Sequence, residues 1–282
     1  LIGLVGSEMC IRDRSDDAGT NGYGYYLSWG NMYIDFKNVS SNNDVTNYTR
    51  DLDLKTAIAG VNYDKGSTHY SRENFTSYPD NVIVTHITAD GSEKISLDVS
   101  VEPDNSRGSA INGIGDSSYQ RTWDTTVSDG RISINGQLTD NQMKFSSQTQ
   151  VITDNAGTVT DGDGKVSVSG ASEVTIITSM GTDYKDEYPS YRTGETASEL
   201  TNRVKWYVDQ AAVKTYEELK AEMNSIIENA QAEGSPSLRL QERDGEYLVC
   251  VQASAPTQAM ADEYCDCLLY TSPSPRDRSV SR

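Results

Sequence analysis

The sequence predicts a mainly β chain: an antiparallel β-sandwich or supersandwich, then a helical linker and a small α+β tail. Three observations predict it. Apolar and polar residues alternate at period two in short runs between residues 28 and 178, the mark of strands with one face to bury. Turn formers such as Asp64-Lys65-Gly66, Asp90-Gly91 and Asp129-Gly130 separate those runs. A helical spacing of apolar residues begins only after Pro189.

The strands follow in order. In "SWGNMYIDF" (28–36), Met32, Ile34 and Phe36 share one face and Trp29, Tyr33 and Asp35 the other. Runs at 46–53 and 56–63 come next, and 68–76 returns across Gly66 as a hairpin partner. Tyr78-Pro79-Asp80-Asn81 turns the chain into a β-branched run at 82–88. Ile95, Leu97, Val99 and Val101 line one face of 94–101. Residues 103–124 are rich in Gly, Ser and Asn and read as a long excursion. Strand patterns resume at 131–138, 143–152, 165–169 and 173–178. Each has a single apolar face, so a second sheet must cover it. Helices are expected at 196–213, with Leu200, Val204, Tyr207, Val208 and Ala211 at helical spacing, and at 216–232, opened by Thr215-Tyr216-Glu217-Glu218 and carrying Leu219, Met223, Ile226 and Ile227. A hairpin at Asp244-Gly245 and a further helix complete the tail.

Composition excludes several function classes. A net charge of −18 argues against nucleic acid and anionic membrane as partners, because both require basic patches. No apolar run approaches the length of a membrane span. Between residues 15 and 247 there is no cysteine, so neither a disulfide framework nor a Cys zinc site is expected there. His69 and His86, without a third ligand, make no metal site, and surface or cross-strand polar roles are expected of them. Asp161-Gly162-Asp163-Gly164 lacks the sixth-position glycine and the terminal Glu of a calcium loop and reads as a β-turn. With no glycine-rich phosphate loop and no nucleophile–base constellation, neither metal nor cofactor is expected. The sequons at Asn38, Asn47 and Asn74 are incidental in an Asn/Ser/Thr-rich chain.

The aromatic residues point toward carbohydrate. The chain has 17 Tyr against 3 Phe, and Tyr23, Tyr25, Tyr26 and Trp29 cluster near the start of the sequence that follows residue 14. Aromatic faces stack on the apolar faces of sugar rings, so Tyr25 and Trp29 are the substrate-binding candidates. The competing reading is that they fill the inter-sheet core or a domain seam.

The two ends differ from everything between them. "CLLYTSPSPRD" (267–277) can be back-translated so that the opposite strand, in a shifted frame, encodes "LVGSEMCIRD" (4–13). Residues 1–14 and 267–282 are therefore read as translated sequencing adapter, and the rest as an internal, metagenomic fragment. The expected organisation is a β-supersandwich at 15–190, a helical linker at 191–234, and a hairpin plus helix of separate origin at 235–266.

Several blocks in fixed order carry a family resemblance: "YLSWGNMYIDF", "VTNYTRDLDLKTAIAGVNYDKGSTHYSRENFTSYPDNVIVTHITAD", "DGRISINGQLTDNQMKFSSQTQVIT", "SEVTIITSMGTDY" and "TYEELKAE". Together, from about Gly22 to Glu222, they resemble the N-terminal region of glycoside hydrolase family 95, whose members are chiefly α-L-fucosidases. The resemblance implies a non-catalytic β-supersandwich, a linker helix, and then an (α/α) barrel that performs inverting hydrolysis of fucosides with a Glu acid and a base. The barrel has no counterpart in these residues, so no catalytic residue carries over and the fragment is expected to be inactive. The family's opening Gly-Asn-Gly-Arg-like motif is also missing ahead of Tyr26. A fucosylated glycan is the implied partner, and a bacterial extracellular or cell-surface setting is expected, with any signal peptide upstream. A stand-alone carbohydrate-binding or adhesin-like sandwich is the alternative. The tail after Glu222 faintly resembles the C-terminal domain of phosphohexomutases, but Arg243-Asp244-Gly245-Glu246-Tyr247 replaces the phosphate-binding loop and adds acidic side chains.

Overall fold

The computed structural model describes residues 29–37, 45–103, 121–139, 141–187, 190–232, 237–243 and 246–252. The chain divides into two compact units, Leu1–Lys220 and Ala221–Arg282. In the first unit the strands are β1 (Gly30–Phe36), β2 (Val45–Asp53), β3 (Ile58–Lys65), β4 (Thr68–Ser77), β5 (Val82–Asp90), β6 (Ile95–Pro103), β7 (Arg121–Ser128), β8 (Arg131–Leu138), β9 (Lys144–Thr153), β10 (Thr158–Asp161), β11 (Lys165–Ala171) and β12 (Glu173–Thr182). They form a four-stranded sheet, β1-β6-β11-β10, and an eight-stranded sheet, β2-β3-β4-β5-β12-β9-β8-β7. Every pairing among them is antiparallel.

Period two places the core as the sequence requires. Ile95, Leu97, Val99 and Val101 from β6 meet Ile87, Ile132, Ile134, Val174 and Ile176 of the larger sheet, all in one buried cluster. Register fixes these faces: Ile176 pairs with Val151 and Val174 with Ile87. A slip of one residue would turn each apolar row outward. In β12, residues Val174 to Ser179 are buried on both faces. The second cover comes from α1 (Ala197–Ala212), which packs over β9 and β12 with Leu200, Val204, Val208 and Ala211 buried. Thr196 and Glu199 close its start as a reciprocal capping box. Thr215 and Glu218 do the same for α2 (Tyr216–Ala232), whose first turn buries Tyr216 and Leu219.

Two expectations are corrected. Residues 121–124, read as the end of a loop, begin β7, and β10 lies where only a connection was expected. Both are edge strands, at the ends of their sheets. An edge strand keeps one row of backbone groups in water and buries few side chains, so Thr, Asp and Ser dilute its alternation. In β7 only Trp123 and Val127 pack on the core cluster. The other edge of the large sheet, β2, is exposed along nearly all its length. It is interrupted by a register shift between Thr46 and Thr49, where Asn47 takes a φ of 52°. Such a bulge, with Arg50, Asp51 and Asp53 along the strand, discourages pairing with another edge.

The second unit contains an antiparallel hairpin of β13 (Ser237–Arg243) and β14 (Glu246–Gln252), on either side of the expected turn at Asp244-Gly245. The helix expected after it lies outside the described residues.

The outward face of the smaller sheet carries one buried acid. Asp98 accepts from Lys165 Nζ at 2.6 Å and Ser167 Oγ at 2.9 Å, and Lys37 Nζ lies 2.7 Å away. Burial alone would raise its pKa, but these partners hold it down at about 2. A depressed carboxylate stabilises the fold fully above its unfolded value near 3.9 and loses that contribution as pH falls toward 2. Asp98→Asn should therefore lower the urea midpoint at pH 6 and narrow the gap to the native chain between pH 4 and pH 2; an equal gap at both ends of that range would exclude this role.

Candidate functional site

A cavity of about 370 Å³ lies between Trp29, just ahead of β1, and the ends of β7, β8, β9 and β12. Its walls are Trp29, Arg121, Leu138, Met143, Phe145, Met180, Gly181 and Thr182. Sequence analysis selected Trp29, and the structure places it there. Tyr25, the other candidate, lies outside the described residues.

The walls are held by local necessity. Register sets Arg121 opposite Leu138 and Gly136 opposite Phe145. A Cβ at position 136 would come within 2.2 Å of Thr122 O and 2.6 Å of the Phe145 ring, so only glycine lets that ring lie over the neighbouring strand. Trp29 then meets Phe145 edge to face, with centroids 5.1 Å apart and planes at 83°. The Arg121 guanidinium sits 5.8 Å from the Phe145 centroid and donates from Nη1 to Trp29 O at 2.9 Å. Trp29 Nε1 is buried, and among the described residues it meets no acceptor.

This arrangement offers aromatic and aliphatic walls and one guanidinium. Among the described residues no carboxylate lines it. Among the described residues no group of three or more His, Cys, Asp or Glu could hold a metal. Of the wall residues, sequence analysis missed Arg121, Phe145 and the methionines, because apolar residues at strand ends look the same whether they line a core or a cavity.

The histidines have structural places. His69 is exposed, and its Nδ1 lies 2.6 Å from Asp64 Oδ1 across the β3–β4 turn. That carboxylate, also bonded by Asn47, is held below its usual pKa. His86 is buried, its ring parallel to Tyr216 with centroids 3.8 Å apart and its Nδ1 3.0 Å from Thr175 Oγ1. Tyr216 OH donates to Glu73, which also accepts from Lys220 Nζ at 2.9 Å. Burial, then the Glu73 contact, raises the Tyr216 pKa, so this hydroxyl is a fixed donor. Burial also lowers the His86 pKa, against the pull of Glu173, Glu73 and Glu217. The cluster fastens the first turn of α2 to β4 and β5. Asn47 and Asn74 are likewise engaged, Asn47 with Asp64 and Asn74 with Thr85 and Ala59 O.

These features define a class: an antiparallel β-sandwich domain with a recess at one end of its larger sheet. The chain belongs to the family described as Glycosyl hydrolase family 65, N-terminal domain, which it matches over residues 7–187. It is 39% identical over 70 residues to "Probable alpha-fucosidase A" of Aspergillus niger, a stretch of 25% of this chain and 8% of that protein. Over 77 residues it is 36% identical to "Alpha-L-fucosidase 2" of Arabidopsis thaliana, 27% of this chain and 9% of that one. The matched stretches thus span less than a tenth of those relatives. Among solved structures, a putative kojibiose phosphorylase from human microbiome shares the fold, with a TM-score of 0.54 over 76% of this chain and 29% of that one at 8% identity.

Two outcomes are expected from these contacts. Gly136→Ala should displace Phe145 and lower stability by about 1–3 kcal/mol in chemical denaturation, as overpacking does. His86 is kept neutral by the fold, so its contribution is complete above its ordinary value near 6.5 and falls as pH drops through it. Between pH 7.5 and pH 5 the native chain should therefore lose more stability than His86→Gln; equal losses would contradict this placement.

Proposed function

We propose that this chain is the non-catalytic N-terminal β domain of an α-L-fucosidase-type glycoside hydrolase of the kind that resembles family 95. The reactive carboxylates would sit in an (α/α) barrel C-terminal to the linker helices and carry out inverting hydrolysis of fucosides. Membership of a glycoside hydrolase N-terminal family supports this reading, as do the two fucosidase relatives at 39% and 36% identity. The observation that supports the non-catalytic part is that, among the described residues, no carboxylate lines the cavity. An inverting site needs two carboxyl-bearing groups about 6.5–9.5 Å apart around a water.

The test uses an aryl α-L-fucoside. The 282-residue chain should release no aryl alcohol above background, and the same domain fused to the barrel encoded downstream of residue 222 in its source genome should release it. Turnover by this chain alone, or an open reading frame that lacks a helical barrel, would overturn the proposal.

The second reading, a stand-alone carbohydrate-binding sandwich, is favoured by one observation, the aromatic-walled cavity at Trp29. We also infer that residues 1–14 and 267–282 are translated adapter and that a junction near Met223 joins residues 223–266 from another gene. Amplification of the locus without transposase-made libraries decides this, since a genuine single gene would return all 282 codons unbroken.

A further inference from the structure

We propose that two arginines on the inner face of the large sheet, Arg50 of β2 and Arg72 of β4, form a site for a doubly charged phosphate or sulfate group. The site shares no residue with the Trp29 cavity and does not depend on the activity proposed above.

Register puts both side chains on one face. Arg50 pairs with Val61, Val61 with Arg72, and Arg72 with Ile87 of the buried cluster. Residues directly opposite in an antiparallel ladder share a face. The flanking acids confirm it. A Cβ at position 60 would meet Asp51 Oδ1 at 2.8 Å, so Asp51 lies over Gly60 on the face away from Arg50. Glu73, next to Arg72, turns toward Tyr216 and Lys220 of α2. With one strand between them, the backbones of β2 and β4 run roughly 10 Å apart, a gap that two arginine side chains close over Val61.

Charge sets the pair apart. The chain carries a net −18, yet among the described residues neither guanidinium has an ion-pair or hydrogen-bond partner. Alternation turns the acids of these strands, Asp51, Asp53, Asp64, Glu73 and Asp90, to the other face. Glu93, from the turn after β5, is taken up by Lys65 and Tyr70. Arg50 is exposed and Arg72 half-buried. Only Nε of Arg72 is enclosed without an acceptor, and its Nη groups stay open. A half-buried cation with no counter-charge is unfavourable, and an anion removes that cost.

Guanidinium groups take phosphate and sulfate through paired N–H donors. Two positive charges match a dianion, whereas a single carboxylate would leave one of them unbalanced. The acids on the far face act weakly here, since salt screens exposed charges beyond about 8 Å. The net charge still repels a long polyanion, so the ligand is small. Tyr48 and Leu52, either side of Arg50 along β2, are 59% and 61% exposed and offer apolar surface to the organic part of a phosphate ester.

Amide NMR titrations of the whole chain, with ionic strength held constant by sodium chloride, test this. The probes are inorganic sulfate, inorganic phosphate, phenyl phosphate and acetate. Sulfate and phosphate should each move the amides around Arg50, Val61 and Arg72 along saturating curves with Kd in the millimolar range, and acetate should bind about tenfold more weakly. Tighter binding of phenyl phosphate than of inorganic phosphate marks an ester as the ligand, and equal or weaker binding marks the free ion; both support the site. Arg50→Gln should weaken phosphate binding about tenfold, and Arg72→Gln likewise. Lys55→Gln removes the same charge from the turn after β2 and should leave binding unchanged. Shifts that climb without saturating to about 50 mM, or that Lys55→Gln reduces as much as Arg50→Gln, would mean an adventitious ion only and overturn the proposal. Undiminished binding by Arg50→Gln would also overturn it, whether or not Arg72→Gln folds. Acetate that binds as tightly as phosphate would overturn the preference for a dianion.

Discussion

Everything in the first unit depends on the closure of one apolar face upon another, with Ile176 and Ile87 of the large sheet against Leu97 and Val99 of the small one. All four are essentially inaccessible to water. Burial of side chains this size is worth about 1.5–3 kcal/mol each, so no other single feature of the domain approaches the sum of this layer. The antiparallel ladders follow from it, because a strand can offer its apolar row to the opposite sheet only in the register that keeps all such rows on one side.

The opposite face of the large sheet solves a different problem. It presents Gln148, Thr175, Ser179 and His86, polar groups that are nevertheless buried. The helices that cover them bring partners as well as hydrocarbon. Thr201 Oγ1 donates to Asn135, Arg131 reaches Asp209, and Tyr216 reaches Glu73. A buried polar layer of this kind fixes where a helix can sit, since a shift of one turn would strand several donors at once. The linker helices are therefore part of the domain's structure as far as Lys220, and the Trp29 cavity opens in a scaffold held on both faces.

Legibility tracked burial. The central strands β5, β6, β8, β9 and β12 stand out in the sequence because two covered faces or one strict alternation leave little freedom of residue type. Ile95, Leu97, Val99 and Val101 name their own face. The edge strands β7 and β10 do not, since Thr125, Thr126 and Asp124 are tolerated wherever one side of the backbone is wet. Both helices were legible from the Leu200–Val204–Val208 spacing and the Thr215-Tyr216-Glu217-Glu218 start, because period and first-turn charge act locally. The burial of His86 was not. It depends on Tyr216, which is 130 residues away in the chain and arrives only with the tertiary fold. The cavity was half legible: Trp29 could be singled out by type, but Phe145 acquires its position from Gly136 on another strand, a long-range fact that no local pattern carries.

The chain belongs to a glycoside hydrolase N-terminal domain family, and its two stacked sheets form that domain's core. Its most direct physical claim is that the sheet interface, rather than the helices, is the last part to open. Native-state hydrogen exchange measures this residue by residue. The slowest amides should be those of β5, β9 and β12, exchanging only through global unfolding, with α1 released at lower free energy. If the amides of Leu200, Val204 and Val208 outlast those of Val151, Ile176 and Ile177, the sheets are not what holds the domain together.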